Sequence, residues 1–122
     1  MQKILIIEDD NQIQIIYKKA LSIEGFTVIT AKIGNEGLEL AKSQNPDLIL
    51  LDLMLAEGGL NGFDVLHQLK IDQNLAKIPV IILTNLDSEK DSSLASGAVD
   101  YIIKANTSID EVVNKIKEHL PA

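Results

Sequence analysis

Four apolar runs in this chain each end in residues able to do chemistry. Glu8, Asp9 and Asp10 follow Ile4 to Ile7, Asp52 follows Leu48 to Leu51, Thr84 follows Val80 to Leu83, and Lys104 follows Val99 to Ile103. Taken singly, each is an ordinary turn or cap residue. Taken together they suggest a pocket. Carboxylates brought close in a partly buried site repel one another and must either take up protons or bind a cation, and hard oxygen donors suit Mg²⁺. A lysine opposite Asp52 and a hydroxyl that can donate to an anionic oxygen would complete a site that stabilises a transferring phosphoryl group. Asp52, at the end of the most central run, is the candidate for covalent attachment. Glu8 and Asp9 can both approach a cation, directly or through water, and Asp10 is placed to cap the helix that follows.

For these residues to meet, the runs must be parallel strands of one sheet. Ile4 to Ile7, Leu48 to Leu51 and Val80 to Leu83 are near-continuous Ile, Leu and Val, the pattern of strands covered on both faces. Phe26 to Thr30 and Val99 to Ile103 are more mixed and suit the edges. Between the strands the period changes to that of helices. Ile13, Ile16, Tyr17, Ala20 and Leu21 share one helix face, with Gly25 as a stop. A second helix spans Glu36 to Ser43 before Asn45 and Pro46, and a third carries Phe63, Leu66 and Leu69 and runs to about Asp72. The polar stretch Ser88 to Ser96 predicts a thinly anchored fourth helix. Ile109, Val112, Val113 and Ile116 mark the fifth, capped by Thr107 or Ser108. Five strand–helix alternations predict a doubly wound α/β fold with helices on both faces. In such a sheet, function collects beyond the carboxyl ends of the strands, where all the polar residues named above lie.

The chain has 122 residues, 11 Lys+Arg against 18 Asp+Glu for a net charge of −7, 46% apolar residues and no cysteine. One domain over residues 1–122 is expected, able to bury roughly two-thirds of its unfolded surface without disulfide or zinc. The acidic balance argues against nucleic-acid binding, which draws on clustered Lys and Arg. Lys3 precedes only a short apolar run before Glu8, which is no secretory signal, and no run approaches the ~20 residues that span a bilayer. A cytoplasmic protein that binds no membrane is the expectation.

The sequence resembles the receiver domain of two-component response regulators along essentially its whole length. The resemblance is carried by Lys3 to Asp10, Pro46 to Leu55, Asn61 to Leu66, Ile78 to Thr84 and Gly97 to Lys104. It implies a five-stranded parallel sheet of flavodoxin-like order 2-1-3-4-5, in a stand-alone domain. It implies that Asp52 accepts a phosphoryl group from a phosphohistidine on a sensor histidine kinase or histidine phosphotransfer protein. Mg²⁺ would be held by Glu8, Asp9, Asp52 and the backbone carbonyl of Met54. Thr84 would close on the phosphoryl oxygens, Lys104 would neutralise them, and Tyr101 would move inward with Thr84 as the signal. The domain would assist only its own phosphorylation and dephosphorylation, and would act through a protein target on the face of helix 4, strand 5 and helix 5. A second copy of the chain is a further candidate partner.

Several residues depart from the family pattern. Ala56 stands where a proline is usual, and Gly62 comes ten residues after Asp52 instead of eight, so the loop 56–61 reads as two residues longer. Ala105 replaces the usual cis-proline after Lys104, and Asn85 follows Thr84 where a small residue is common. A cis bond before a non-proline residue costs ~3 kcal/mol or more, so the Ala105 loop either holds that strain or is trans. The competing readings are a receiver-like interaction module that is never phosphorylated, a flavin or nucleotide binder, and a carboxylate-nucleophile hydrolase. The acidic loop after the first strand would repel a phosphate, which argues against the second. Leu53 and Met54 offer neither a second acid nor a substrate cap for the third. His67 and His119 read as surface residues of helices.

Overall fold

The computed structural model describes residues 2–55 and 59–120. The elements alternate as β1 (Lys3–Ile7), α1 (Asn11–Ile23), β2 (Thr27–Ala31), α2 (Gly34–Gln44), β3 (Leu48–Leu51), α3 (Gly62–Ile71), β4 (Val80–Thr84), α4 (Lys90–Ala95), β5 (Asp100–Ile103) and α5 (Ile109–His119). The five strands form one parallel sheet in the order β2-β1-β3-β4-β5. The three near-continuous apolar runs are its central strands, and the two mixed ones are its edges.

Strand alternation divides the core in two. Leu5, Ile7, Ile49, Leu51, Val80, Ile82 and Tyr101 pack with Ala41 of α2 and with Val65, Leu66 and Leu69 of α3. Ile4, Ile6, Leu48, Leu50, Ile81, Leu83 and Ile102 pack with Tyr17 and Leu21 of α1 and with Val112, Val113 and Ile116 of α5. Each face is apolar because successive strand residues point to opposite sides, so a central strand must be apolar throughout. The α2 helix approaches closely at Gly37, where a Cβ would lie 2.5 Å from Ile7 Cδ1. Among the described residues, no helix is long and apolar enough to cross a membrane.

Element boundaries differ from the sequence expectation for local reasons. The second strand starts one residue later because the Phe26 N–H returns to the Leu21 carbonyl at 3.2 Å, closing the turn that Gly25 makes possible at φ 94°. The fifth begins at Asp100, one residue after Val99. The second helix begins two residues early, at Gly34, and ends with Asn45 in the left-handed region at φ 48°. The third stops at Ile71, with Asp72 as its C-cap, and is entered through a reciprocal cap in which Asn61 and Asp64 exchange bonds. Of the two candidate caps for α5, Ser108 is the one used, paired with Glu111 in the same reciprocal way.

Helix α4 is as thin as its sequence suggests. It has six residues and no side-chain cap, and its buried residue is Ser93, whose hydroxyl has no hydrogen-bond partner among the described residues. His67 is exposed, but His119 is half-buried and sits 3.0 Å from Asp100 Oδ2, with Lys115 at 3.5 Å. That corrects the surface reading of His119. The pair ties the end of α5 to the start of β5. Burial would raise the Asp100 pKa, but the Tyr101 N–H, His119 and Lys115 outweigh it and hold the carboxyl below its usual range.

Candidate functional site

The carboxyl ends of β1, β3, β4 and β5 bring the expected residues to one edge of the sheet. Strand pairing sets their order, since Ile7 pairs with Leu51, Leu51 with Ile82, and Thr84 with Ile103. Glu8, Asp52 and Thr84 are buried, at 3%, 5% and 0% exposure. Apolar neighbours on both sides of three central strands make the pocket floor dry, so charges there interact strongly.

Glu8, Asp9 and Asp52 each offer a carboxylate oxygen, all within 4.8 Å of one another. Lys104 reaches this group from β5, pairing with Glu8 Oε1 and, at 2.8 Å, with Asp52 Oδ2. The second oxygen of Asp52 accepts the Met54 N–H at 3.0 Å, and the second oxygen of Glu8 accepts the Asp10 N–H at 3.1 Å. Asp10 turns away to cap α1, accepting the N–H groups of Gln12 and Ile13 at 2.9 and 3.1 Å.

Burial pushes the Glu8 pKa up to about 7, and the nearby charge of Asp52 adds to the rise, while hydrogen bonds from Lys104 and the Asp10 N–H oppose it. Burial would lower Lys104, but its bonds to Asp52 and Glu8 outweigh this and hold it above its usual value. One lysine thus faces three carboxylates, one of which is half-protonated near neutral pH. Such a pocket is short of positive charge, and its donor set is all oxygen. It fits a hard divalent cation.

Thr84, which ends β4 between Asp52 and Lys104 along the edge, is fully buried, and its hydroxyl accepts the Leu86 N–H at 3.4 Å. The Leu86 carbonyl in turn accepts the Tyr101 hydroxyl. The resemblance implies that Tyr101 moves inward on phosphorylation; in this structure it lies inward, with 8% exposure, held by that bond and by the core around it. The Met54 side chain is solvent-exposed, at 53%.

The departures in sequence have local solutions. Residues 56–58 of the longer loop, Ala56 included, lie outside the described residues. Beyond them Gly59, at φ 92°, and Leu60 lie against the start of α2, where the Leu60 N–H donates to Asn35 Oδ1 at 3.1 Å. Gly62 donates its N–H to the Leu53 carbonyl at 3.3 Å and packs directly on the Asp52 backbone. No peptide bond among the described residues is cis, so Ala105 follows Lys104 in trans, within a 3-10 turn over Lys104–Asn106.

Two groups escaped the sequence reading. Gln14, buried on α1, donates its amide Nε2 to the carbonyls of Glu8 at 2.6 Å and Ala31 at 2.9 Å, tying the ends of β1 and β2 together. A lone glutamine at the edge of an apolar helix face gives no signal in sequence. Asn85 accepts the Ala105 N–H at 2.9 Å, a bond between two residues each of which reads only as an exception.

Comparison with known proteins agrees with this geometry. The family model for the response regulator receiver domain matches residues 4–117. The transcriptional regulatory protein AfsQ1 of Streptomyces coelicolor is 41% identical over 106 residues, covering 85% of this chain and 45% of AfsQ1. Protein PilH of Pseudomonas aeruginosa is 37% identical over 106 residues, covering 85% of this chain and 86% of PilH. Among solved structures, the BeF3-activated N-terminal receiver domain of RstA from Klebsiella pneumoniae superposes with a TM-score of 0.89 at 30% identity, covering 99% of this chain and 100% of that one. The chain spans less than half the length of AfsQ1 and of several other transcriptional regulators it matches. A parallel 2-1-3-4-5 sheet, an acidic group and a lysine at its carboxyl edge, and a family match over nearly the whole length lead to one assignment: the chain belongs to the response regulator receiver domain family, the phosphoacceptor module of two-component signalling.

Proposed function

We propose that the domain, over residues 1–122, takes a phosphoryl group on Asp52 from a phosphohistidine of a sensor histidine kinase or phosphotransfer protein in the cytoplasm. The observation that carries this reading is the placement of Asp52. Its carboxylate is buried at a rigid strand end, with one oxygen on the Met54 N–H and the other on Lys104. In the transfer, a carboxylate oxygen of Asp52 forms a bond to phosphorus as the phosphorus–nitrogen bond of the donor breaks. Lys104 then pairs with the phosphoryl oxygens and the Thr84 hydroxyl donates a hydrogen bond to one of them, while the histidine nitrogen leaves with the electron pair of the broken bond. Glu8, Asp9, Asp52 and the Met54 carbonyl are the residues that would hold Mg²⁺. Bound there, Mg²⁺ supplies positive charge facing the transferring group.

Leu86 supports a role for Thr84 and Tyr101 as the switch, since its N–H bonds to one and its carbonyl to the other. Because Tyr101 already lies inward, phosphorylation acts by shifting the balance between this arrangement and an outward one. The surface that responds is α4, β5 and α5, where a protein target or a second copy of the chain binds. Helix α4 is the least anchored part of that surface.

Intact-protein mass measured after incubation with acetyl phosphate tests the reading. A gain of one phosphoryl group that requires Mg²⁺ is expected. No gain with either acetyl phosphate or a phosphohistidine donor would replace it with a non-phosphorylated interaction module.

The metal site carries its own pH dependence. Burial pushes the Glu8 carboxyl up from the usual carboxylate range to about 7, so below that pH it holds a proton. A cation must displace that proton, so Mg²⁺ affinity rises with pH up to about 7 and levels off above it. Below 7 the loss should approach tenfold per pH unit. Mg²⁺ titrations followed by amide chemical shifts at pH 6 and pH 8 check this, and equal affinities would remove Glu8 from the ligand set.

A further inference from the structure

The Lys104 side chain has an unusual distance to cover. It starts at the end of β5 and reaches the carboxylates of Glu8 and Asp52 on β1 and β3, so it must pass over the end of β4, which lies between. Where the Lys104 backbone sits relative to β4 therefore decides whether its ammonium arrives. The backbone there is a 3-10 turn of three residues, Lys104–Asn106, whose closing bond from the Thr107 N–H to the Lys104 carbonyl is long at 3.4 Å. The N–H groups in the first turn of a helix have no acceptor within it. That of Ala105 finds one outside, Asn85 Oδ1, at 2.9 Å.

Asn85 sits immediately after Thr84 at the end of β4. Its amide oxygen thus ties the turn that carries Lys104 to the strand that Lys104 must cross. The bond needs both residue types. An alanine or glycine at 85 has no side-chain acceptor, and a proline at 105 has no N–H. Residues 85 and 105 both depart from the receiver pattern, and in the structure they bond to each other.

We infer that Asn85 is a positioning residue, which through the Ala105 N–H holds Lys104 in register with Glu8 and Asp52. The effect on phosphoryl transfer rests on the proposed role of Asp52, whereas the effect on Lys104 does not. Two readouts separate them: the proton exchange of the Lys104 ammonium, followed by ¹⁵N NMR on the unphosphorylated protein, and the initial rate of labelling by phosphoramidate.

Asn85 is exposed, so Asn85→Ala should leave the fold intact and lower the thermal midpoint by no more than about 4 °C. Lys104 exchange should rise and labelling should fall, each by about fivefold, the weight of one hydrogen bond. Ala105→Pro removes the same bond from the other side. If Asn85 acts through that N–H, adding Asn85→Ala to the Ala105→Pro background changes Lys104 exchange no further. Unchanged Lys104 exchange in Asn85→Ala, or an equal effect in both backgrounds, overturns the inference. Faster exchange with labelling unchanged upholds the positioning role and counts against a part for Lys104 in the transfer, whereas faster exchange with labelling absent in every protein upholds the positioning role and counts against the phosphoacceptor reading.

Discussion

Asp52→Asn is expected to take up no phosphoryl group under conditions in which the parent protein gains one. The amide matches the carboxylate in shape, and its oxygen can still accept the Met54 N–H, a bond of 3.0 Å in the parent. What it lacks is the charge and nucleophilicity that a phosphorus–oxygen bond requires. The loss should therefore be complete, with the fold intact. Two side effects identify the cause. Asp52 is one of the groups that raise the Glu8 pKa, so removing its charge should let Glu8 titrate below about 7, measurable from the side-chain carboxyl carbon shift. Lys104 keeps its pair with Glu8 but loses the one with Asp52. With one carboxylate fewer in the cluster, Mg²⁺ should also bind more weakly. A variant that still gained the phosphoryl mass would shift the acceptor to Asp9 or Glu8.

The second large effect is expected at Gly62. A Cβ there would lie 2.3 Å from the Asp52 carbonyl oxygen, 2.4 Å from Leu53 Cα and 2.9 Å from the Asp52 carbonyl carbon. All three are backbone atoms at the end of β3, so no side chain can rotate away. Either the strand end or the whole of α3 must move. Alanine is worth about 1 kcal/mol over glycine within a helix, which favours the substitution. Overpacking against fixed backbone costs about 1–3 kcal/mol and sometimes more, and here three contacts are violated together. The clash should win, leaving Gly62→Ala less stable by about 2 kcal/mol, with a thermal midpoint lower by about 8 °C. Because the displaced atoms carry Asp52, phosphoryl uptake should fall more steeply than stability. Unchanged thermal unfolding would mean that the longer loop can slide α3 outward without cost.

The scaffold was largely legible because its signals are periodic. Runs such as Leu48 to Leu51 and Val80 to Leu83 can satisfy both faces of a sheet in only one way, and the polar residues after them then fall on one edge. Asp10, Gly25 and Asn45 announce helix ends by residue type. What stayed hidden depends on where loops go. The Gln14 amide works by reaching two carbonyls that strand pairing brings together, and Asn85 by meeting an N–H twenty residues further along the chain. His119 reads as an ordinary surface histidine until α5 is laid beside the start of β5, next to Asp100. Gly62 is visible as a glycine, but its reason is visible only once α3 is seated on the Asp52 backbone. Tyr101 could be placed on its strand, whereas its inward position depends on a bond to the Leu86 carbonyl in a loop without periodicity.

The position of β1 between β2 and β3 has a consequence for the order in which this chain can be built. By the time residue 52 has left the ribosome, β2, β1 and β3 can pair and α1 and α2 can cover their faces; β4 and β5 then add at one edge in chain order. Glu8, Asp9 and Asp52 are all present among those strands, but the lysine that offsets part of their charge is Lys104, which follows the fifth strand. A nascent sheet of these three strands therefore displays a concentrated negative charge that no lysine meets until residue 104 has emerged. The arrival of β5 both completes the sheet and offsets part of the charge at its edge, so the last strand to pair is drawn in by the same electrostatics that the finished domain brings to its pocket.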